Sequence, residues 1–319
     1  MLMFSLEPAN PFAQSLANAL DVRLTPHEER SFPDGERKLR PLVDPRGADV
    51  YVVHSLHGGP IDSPHDKLCR LLMFIATLKD HGAARVTAVV PYLAYARKDQ
   101  QTKPHDPVGL RYVAQLFDAV GVAQIIVLEA HNVAAFQNAF RCPTVHLSAH
   151  LLFGKLAHKI AGTGPLAVAS PDPGGVKRAL LWREGLEERL GRPVSFAMID
   201  KRRSAGVLSG GQLVAGEVEG AIVLLLDDLI ASGETLQRGA TALRRAGAKD
   251  VIGCAAHGLF VDKATELLAN DGLSRLVVTD SVPPFRLPEG GPVRAKLHVV
   301  SAAPLFAEAI RASHGSWCR

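Results

Sequence analysis

Short apolar segments alternate with longer amphipathic segments along most of this chain. The apolar segments are nearly continuous, which is typical of parallel strands that are buried on both faces. Between them, apolar positions at helical spacing predict helices over residues 67–80, 109–120, 174–191 and 234–246, several of which stop at a glycine. This alternation predicts βαβ units and an α/β fold with doubly wound, mainly parallel sheets. The strands are predicted at residues 49–56, 85–92, 124–128, 166–170, 194–199, 221–226, 251–255 and 276–279.

Length and internal rhythm indicate two domains. The 319 residues suit two domains of about 150 residues each. A Gly- and Pro-containing segment at residues 161–165 marks a change in composition, and residues 142–146 are interpreted as a connecting segment. We therefore predict a domain boundary near residue 148, with the same strand–helix rhythm on both sides, as in a duplicated architecture.

The overall composition is that of a globular protein. Hydrophobic residues make up 47% of the chain and charged residues 21%, which excludes a mainly disordered, collagen-like or coiled-coil chain. Aromatic residues make up only 6%, which argues against stacked aromatic platforms for single-stranded nucleic acid. Lys and Arg exceed Asp and Glu by 36 to 32, an excess that fits a local phosphate site but does not indicate a nucleic-acid partner.

Cysteine spacing and the N-terminal segment bear on the cellular location. The four cysteines, at positions 69, 142, 254 and 318, form no C-x-x-C pair and no zinc-type spacing with histidine, so neither a disulfide framework nor a structural zinc is expected. Glu7 and Pro8 interrupt the N-terminal apolar stretch, and no apolar run reaches membrane-spanning length, so we expect neither a signal peptide nor membrane insertion. A cytoplasmic location is the resulting expectation.

One predicted strand ends in two carboxylates and leads into a loop that opens a helix. Residues 222–236 read IVLLLDDLIASGETL, which puts Asp227 and Asp228 at the strand end and Ser232 and Thr235 near the helix start. Ligands of open α/β sheets bind beyond the carboxyl ends of the strands. Backbone N–H groups at a helix N-terminus favour a phosphate, and adjacent carboxylates suit sugar hydroxyls. The loop therefore predicts a phosphorylated-sugar site; the alternative is an ordinary junction in which Ser232 or Thr235 caps the helix.

Polar residues follow several other predicted strands. His131 follows the strand at 124–128, and Asp172 follows the strand at 166–170 just before a Gly-Gly helix start. A lone histidine at a strand end is more often a hydrogen-bonded structural group, and an Asp before a helix is often a cap. The basic cluster at residues 201–203 is by default a solvated surface. It leads into a Gly-rich segment, which we interpret as a flexible loop that can fold over a substrate.

Five further segments decide which family the chain resembles. Together with the loop after Asp228, which also resembles that of type I phosphoribosyltransferases, they are similar in order and spacing to the ribose-phosphate diphosphokinase family. The resemblance covers almost the whole chain. The segments are SFPDGE at residues 31–36, VPYLAYARKD at 90–99, SPDPGGVKRA at 170–179, IDKRR at 199–203 and AHGLF at 256–260.

The family resemblance implies a Mg²⁺-dependent enzyme. Its members transfer the β,γ-diphosphoryl group of ATP to the C1 hydroxyl of ribose 5-phosphate, giving 5-phosphoribosyl 1-diphosphate and AMP. The implied fold is two type I phosphoribosyltransferase-like domains. The first, residues 1–148, is expected to carry ATP contacts and to receive a C-terminal helix at about 301–319; the second, residues 149–300, is expected to carry the ribose 5-phosphate loop. A homo-oligomer, a dimer or a hexamer, is also implied, with neither a nucleic-acid nor a membrane partner.

The resemblance also implies roles for individual residues. Lys201 and Arg203 are expected to stabilise negative charge during phosphoryl transfer, a reaction that depends on alignment and positive charge. Asp172 and His131 are expected to bind Mg²⁺, which favours oxygen ligands and keeps several waters. The expected ATP-binding residues are Phe32, Asp34, Glu36, Arg97, Lys98 and His131. The expected ribose 5-phosphate-binding residues are Asp227, Asp228, Ala231, Ser232, Gly233, Glu234 and Thr235.

Within this set, Phe32 is expected to stack on adenine and Asp34 and Glu36 to make polar contacts with it, whereas by composition alone residues 32–36 are simply a turn. The planar guanidinium of Arg97 suits a phosphate. The alternative interpretation of Arg97 is a solvated surface charge with no binding role. The sequence offers no clear general base for the sugar hydroxyl.

Some positions depart from the family pattern. Ala205, Val207 and Gly210 stand in the Gly-rich segment where the family usually has Arg, Asn and Glu. Ala231 and Glu234 replace the usual Asp and Gly of the sugar-phosphate loop. These differences keep two alternatives open: a catalytically weak regulatory paralogue of the enzyme, and a phosphoribosyltransferase that consumes 5-phosphoribosyl 1-diphosphate.

Overall fold

The chain divides into two compact units. The structure is a computed structural model that describes residues 1–154, 162, 164–204 and 207–317, with the backbone alone for 201–204 and 207–212. The first unit comprises Met1–Ser148 and Ser301–Arg319, and the second comprises Ala149–Val300. Each unit has its own sheet and its own apolar core.

The first unit is built on a five-stranded parallel sheet with flanking helices. Its elements are β1 (Leu2–Ser5), α1 (Pro11–Leu20), β2 (His27–Ser31), β3 (Arg37–Pro41), β4 (Asp49–Val53), α2 (Pro64–Asp80), β5 (Arg85–Val90), α3 (Gly109–Ala119), β6 (Gln124–Leu128), α4 (Val133–Ala139), β7 (Thr144–Leu147) and the C-terminal helix, called α9 (Ala303–Trp317). The sheet order is β1–β4–β5–β6–β7, and β2 and β3 form a separate antiparallel hairpin.

The second unit is built on a seven-stranded sheet. Its elements are β8 (Leu166–Ser170), α5 (Val176–Leu190), β9 (Ser195–Ser204), β10 (Val207–Gly216), β11 (Ile222–Ile230), α6 (Glu234–Arg245), β12 (Asp250–Gly258), α7 (Ala264–Leu267), β13 (Arg275–Thr279), α8 (Pro292–Ala295) and β14 (Leu297–Val300). The order is β10–β9–β8–β11–β12–β13–β14, in which β10 is antiparallel to β9 and all other pairs are parallel.

Local sequence explains where these elements begin. All five residues of β4 are buried, as expected of a central parallel strand with apolar neighbours on both faces. Asn10 accepts the N–H of Phe12 at the start of α1. Ser63 and Asp66 form a capping box at the start of α2, followed by a proline at the first helical position. Within the described ranges, no helix is both long enough and apolar enough to cross a bilayer.

The α/β fold class predicted from the sequence is confirmed, but two local predictions are wrong. Residues 142–146, assigned to a connecting segment, include most of the edge strand β7; its four residues are only partly buried, so no continuous apolar run marks it. Residues 207–211 of the Gly-rich segment, assigned to a flexible loop, lie in strand β10, whose register with β9 shifts between Leu208 and Gln212. Glycine and polar residues are tolerated there because β10 is an edge strand.

Helix α9 packs on α1 within the first unit. The rings of Phe306 and Phe12 meet edge to face, with centroids 5.3 Å apart. Asp49, at the start of β4, accepts two hydrogen bonds from Arg85 at 2.7 and 2.8 Å, and His314 Nδ1 on α9 lies 2.6 Å from its Oδ2. Burial opposes ionisation of Asp49, but the bonds from Arg85 and His314 outweigh it and hold the pKa of Asp49 below its usual value.

The contacts among Asp49, Arg85 and His314 should contribute strongly to the stability of this unit. Asp49→Asn is expected to lower the free energy of unfolding by about 3 kcal/mol or more, because it leaves the Arg85 guanidinium without its buried counter-charge. Since the pKa of Asp49 is lowered on folding, this contribution is present above the unfolded-state pKa of about 3.9 and is lost as the pH falls through the folded-state value. Urea unfolding across pH 7 to 2 measures both effects.

The matched control is Glu28→Gln, which removes an exposed pair with Arg40. We expect it to change the free energy of unfolding by less than about 1 kcal/mol. Equal losses for the two variants, or a loss for Asp49→Asn that does not shrink as the pH falls, would contradict this account.

Candidate functional site

The carboxyl end of β11 projects past its neighbour β8. The pairing of β11 with β8 stops at Leu225, whereas its pairing with β12 on the other side continues to Ile230. Asp227 and Asp228 therefore lie in the part of β11 that has one strand neighbour instead of two. The strand is longer than the predicted residues 221–226, because β12 continues beside it.

The two carboxylates at this end of β11 have different surroundings. The Asp228 side chain is 6% exposed, and its Oδ1 lies 3.7 Å from Nη1 of Arg178 on α5. The partly exposed Asp227 accepts the backbone N–H of Asp228 at 2.9 Å through Oδ1. Burial and the adjacent charge of Asp228 raise the pKa of Asp227 well above its usual value, and the charge of Arg178 opposes this shift. Hydrogen-bond donors placed on the pair would favour its fully ionised form.

The loop after β11, residues 231–233, is fixed by its backbone and by close packing. The carbonyl of Ala231 accepts the N–H of Val261 at 3.0 Å, which ties the loop to the segment after β12. Gly233 has a φ of +79°, and a Cβ at this position would lie 2.6 Å from Cγ of Leu268. Both the backbone conformation and the available space therefore require glycine at position 233.

Helix α6 begins without a side-chain cap among the described residues. Gly233 is the N-cap residue, so neither Ser232 nor Thr235 takes that position. The Oγ of Ser232 accepts the N–H of Glu234 only at 3.5 Å, and the Glu234 carboxylate pairs with Arg238 at 3.0 Å. Because uncapped N–H groups and the helix dipole favour an anion, this turn of twelve-residue α6 suits a phosphate beside the two carboxylates.

Asp172 stands in a tight turn between β8 and α5. Its Oδ1 accepts the N–H of Gly175 at 3.2 Å, and Ser170 Oγ donates to the carbonyl of Asp172 at 2.6 Å. A Cβ at Gly175 would lie 2.7 Å from that Oγ, so the turn needs glycine there. The capping role considered for Asp172 is therefore present, and its metal-binding role stays a prediction.

Lys201 and Arg203 lie on the backbone of β9, where both are paired with residues of β10. Their side chains are outside the described part of the structure, so their catalytic roles stay predictions. Of the three departures from the family pattern in the Gly-rich segment, Val207 begins β10 and Gly210 lies within it, whereas Ala205 lies outside the described residues.

Phe32, Asp34 and Glu36 lie at the tip of the β2–β3 hairpin in the first unit. The N–H of Phe32 donates to the carbonyl of Glu36 at 2.8 Å, and Gly35 has a φ of +94°. Asp34 Oδ1 accepts the N–H of Glu36 at 3.1 Å. The Phe32 ring is 37% exposed, with the Arg30 guanidinium 5.2 Å from its centroid. The turn expected from composition is thus present, and it presents an aromatic ring that a planar ligand can reach.

Arg97, Lys98 and His131 follow two neighbouring strands of the first unit. Because β5 and β6 are paired in parallel, the loops after them lie at the same edge of the sheet. The loops are joined where Asn132 Nδ2 donates to Asp99 Oδ2 at 2.7 Å. Arg97 and His131 are exposed at this edge. The structure therefore brings the segments of these three predicted ATP-binding residues together.

The ammonium group of Lys98 already has a partner. Its Nζ donates to Asp106 Oδ2 at 2.5 Å, and Thr102 Oγ1 donates to the same oxygen at 2.7 Å. These bonds hold the pKa of Asp106 well below its usual value. Arg97 is consequently the better placed of the two cations for contact with a phosphate.

The two residues predicted to bind metal lie in different units. His131 belongs to the first unit and Asp172 to the second. Across the described residues, no three His, Cys, Asp or Glu side chains converge as a metal-binding group. In the second unit, Asp172 follows β8, and Asp227 and Asp228 follow the buried part of the neighbouring strand β11. Carboxylate oxygens are the donors that Mg²⁺ prefers, so this donor type fits that ion.

Two contacts of the site were not predicted from the sequence. They are the ion pair of Arg178 with Asp228 and the packing of Leu268 against Gly233. Both depend on how elements pack in space. The sequence signal for Arg178 was its place in the SPDPGGVKRA segment, near the start of the helix that follows Asp172. Asp172 itself follows β8, the strand next to β11.

The chain is similar to known proteins along most of its length. A family model described as the N-terminal domain of ribose phosphate pyrophosphokinase matches residues 1–121, and one described as a phosphoribosyl synthetase-associated domain matches residues 210–317. The ribose-phosphate pyrophosphokinase of Thermotoga maritima is 34% identical over 97% of this chain and 94% of the relative. That of Aquifex aeolicus is 36% identical over 94% of this chain and 91% of the relative.

Among solved structures, the phosphoribosylpyrophosphate synthetase of Mycobacterium smegmatis aligns with a TM-score of 0.86 and 33% identity, over 99% of both chains. The α/β architecture of the chain is therefore shared with that protein. The chain belongs to the ribose-phosphate pyrophosphokinase family, and the family predicted from its sequence motifs is confirmed.

The raised pKa of Asp227 predicts that this site costs stability. Because its pKa is higher in the folded than in the unfolded chain, ionisation of Asp227 destabilises the fold as the pH rises above the unfolded value of about 3.9. Asp227→Asn should therefore raise the unfolding temperature at pH 7, by about 2–4 °C for each kcal/mol relieved. The gain should vanish below about pH 4, where both forms are neutral.

Calorimetric unfolding at the two pH values measures this effect. Asp271→Asn, a change at an exposed carboxylate of the same unit, is the control and should leave the unfolding temperature nearly unchanged. A lower unfolding temperature for Asp227→Asn at pH 7 would show that the carboxylate stabilises the fold instead.

Proposed function

We propose that this chain transfers the β,γ-diphosphoryl group of ATP to the C1 hydroxyl of ribose 5-phosphate. The observation that carries the proposal is the β11–α6 segment, where two carboxylates and an uncapped helix N-terminus stand within one short loop. Near full-length relatives named ribose-phosphate pyrophosphokinase support the same activity. The new bond joins the C1 oxygen to the β-phosphorus, the α–β bridge breaks, and AMP leaves.

This loop binds the sugar phosphate at two places, its phosphate group and its hydroxyl groups. Its phosphate lies at the start of α6, where the backbone of Ser232, Gly233 and Thr235 and the helix dipole favour an anion. Its hydroxyls donate to Asp227 and Asp228. Fixing both ends orients the C1 oxygen, and orientation is a large part of what phosphoryl transfer requires. Ala231 and Glu234 complete the loop through their backbone.

ATP is bound by residues of the first unit. Phe32 offers its exposed ring to adenine, and Asp34 and Glu36 provide acceptors beside it. Arg97 and His131 face solvent at the edge shared by β5 and β6, where they meet the phosphates together with Lys98. A planar guanidinium suits phosphate oxygens better than an ammonium group that is already paired, so Arg97 carries the larger share.

Lys201 and Arg203 supply positive charge to the transferred group. Negative charge grows on the oxygens around the β-phosphorus and on the departing AMP as the reaction proceeds, and fixed cations there lower the barrier. Lys201 and Arg203 lie at alternate positions along the backbone of β9. The proton of the C1 hydroxyl has no assigned acceptor.

Magnesium fits the oxygen donors of the second unit. Asp172 would hold it directly or through water, since Mg²⁺ favours oxygen ligands and retains part of its water shell. The ion neutralises phosphate charge when bound. His131 is a second candidate ligand by family resemblance, although an imidazole nitrogen is less typical of Mg²⁺ sites than a carboxylate. We also propose that the chain is cytoplasmic. We further propose that it forms a homo-oligomer, a dimer or a hexamer, and light scattering can measure its mass.

The product assay is the direct test of this function. Incubation with ATP, ribose 5-phosphate and Mg²⁺ should give 5-phosphoribosyl 1-diphosphate and AMP. Lys201→Ala should lower kcat more than it raises KM, because its charge acts mostly in the transition state. The control is Lys249→Ala, an exposed lysine of the same unit. An unchanged kcat for Lys201→Ala would remove the catalytic role, and release of ADP in place of AMP would contradict diphosphoryl transfer.

The same assay separates the two alternatives. Nucleotide binding without turnover, with recovery of a second homologous chain, would indicate the regulatory paralogue that Ala205, Val207 and Gly210 keep open. Release of diphosphate from 5-phosphoribosyl 1-diphosphate that depends on a nucleobase would indicate a phosphoribosyltransferase.

The contacts of Lys98 give a further expectation for ATP binding. Arg97→Ala should raise KM for ATP about tenfold, the usual effect of losing one charge-assisted hydrogen bond to phosphate. Lys98→Ala should raise it about threefold or less, since Asp106 already holds that ammonium group. Initial-rate kinetics with ATP as the varied substrate measures both, and the reverse order would contradict the assignment.

A further inference from the structure

Arg178 is the described cation that faces the acid pair of β11. It lies near the start of α5, and its Nη1 is 3.7 Å from Oδ1 of Asp228. Both side chains are largely buried, at 17% and 6% exposure. The contact therefore lies where water screens charge only weakly, so a charge on one side chain is felt strongly by the other.

Two carboxylates on consecutive residues cannot both be ionised in such surroundings without a cost. Each disfavours the charge of the other, and burial disfavours both. Asp227 carries this cost as a raised pKa, which the charge of Arg178 partly offsets. Without Arg178, the pair would tend to keep a proton, and a protonated carboxyl group is a weaker acceptor for a sugar hydroxyl.

We infer that Arg178 is a positioning residue for ribose 5-phosphate: it holds and orients the Asp228 carboxylate, so that the acid pair can accept the sugar hydroxyls. This inference rests on the proposed function of the β11–α6 loop as the ribose 5-phosphate site. Arg178 itself need not touch the substrate. Its effect reaches the sugar through Asp228.

The backbone fixes where Arg178 stands. The turn before α5 is packed tightly, since a Cβ at Gly175 would meet Ser170 Oγ at 2.7 Å. Ser170 ends β8, which is paired with β11 on the next position of the sheet. The start of α5 is thereby held at a set distance from the carboxylates. The same helix start follows Asp172, so one short segment serves both the proposed metal ligand and the acid pair.

Other titratable groups near the pair are accounted for differently. His257, on β12 opposite Leu229, is buried, and its Nδ1 lies 2.8 Å from Ser281 Oγ. Glu234 is exposed and pairs with Arg238. Among the described side chains for which an ion pair with either carboxylate is observed, Arg178 is therefore the one to test.

The experiment measures KM for ribose 5-phosphate in Arg178→Met and Arg178→Lys. We expect Arg178→Met to raise it about tenfold or more, the effect of losing one charge-assisted contact, with KM for ATP and kcat changed less than about threefold. Arg178→Lys should recover part of the loss, because it keeps a positive charge on the side chain that faces Asp228. Arg183→Met is the matched control: Arg183 is on the same helix, pairs with Glu187 at 3.8 Å, and should leave every constant unchanged.

A double-mutant cycle with Asp228→Asn tests the route of the effect. If Arg178 acts through Asp228, Arg178→Met should add less than about twofold once the carboxylate is neutral. An equal rise in KM in both backgrounds would overturn the inference, as would an unchanged KM in Arg178→Met or a loss in kcat alone. Arg178→Gln, which also removes the charge, takes the place of Arg178→Met if that variant does not fold.

Calorimetric titration with ribose 5-phosphate separates this inference from the proposed function. If the native chain binds the sugar phosphate but forms no product, the proposed reaction fails, while the Kd values of the same variants still test Arg178. If the native chain forms product and the variants bind the sugar phosphate as tightly as it does, the reaction stands and the role of Arg178 is refuted.

Discussion

Two carboxyl groups on consecutive residues of β11 are the constraint on which the second unit depends. The strand is buried from Val223 to Leu226, and its pairing with β8 ends at Leu225, so the acids emerge only where β8 has ended. The turn after β8 and the start of α5 then bring a cation to one acid. The loop after β11 needs glycine at position 233 because Leu268 fills the space beside it. Packing of apolar residues thus decides where charge can be exposed to a ligand.

A second buried carboxylate in the same chain has hydrogen bonds that fully offset the cost of burying its charge. Asp49 lies at the amino-terminal end of β4, holds two bonds from Arg85 and is joined by His314 from α9. Its pKa falls on folding, whereas the pKa of Asp227 rises. The difference is one of partners, since burial opposes ionisation in both places. Asp49 is fully paired within the protein, and the incomplete pairing of Asp227 fits the ligand-binding role proposed for it, at a cost in stability.

The central strands and the loops after them could be predicted from the sequence. The half-exposed strands and the contact partners of individual side chains could not. The central strands are continuous apolar runs, and the loops after them carry the residues of the family motifs. Strand β7 is half-exposed, β10 is Gly-rich, and β2 and β3 are highly charged, so none has the apolar run that marks a central strand. The contacts of Arg178 with Asp228, and of Lys98 with Asp106, depend on how a helix or a loop lies in space, which residue spacing does not specify.

The central claim is that the segment from Asp227 to Thr235 binds the sugar phosphate. A crystal structure of the native chain with ribose 5-phosphate tests it most directly. The account predicts the phosphate at the N-terminus of α6, hydrogen-bonded to the backbone of residues 232–235, with the ribose hydroxyls donating to Asp227 and Asp228. A sugar phosphate bound elsewhere, or bound with its hydroxyls directed away from both carboxylates, would contradict it.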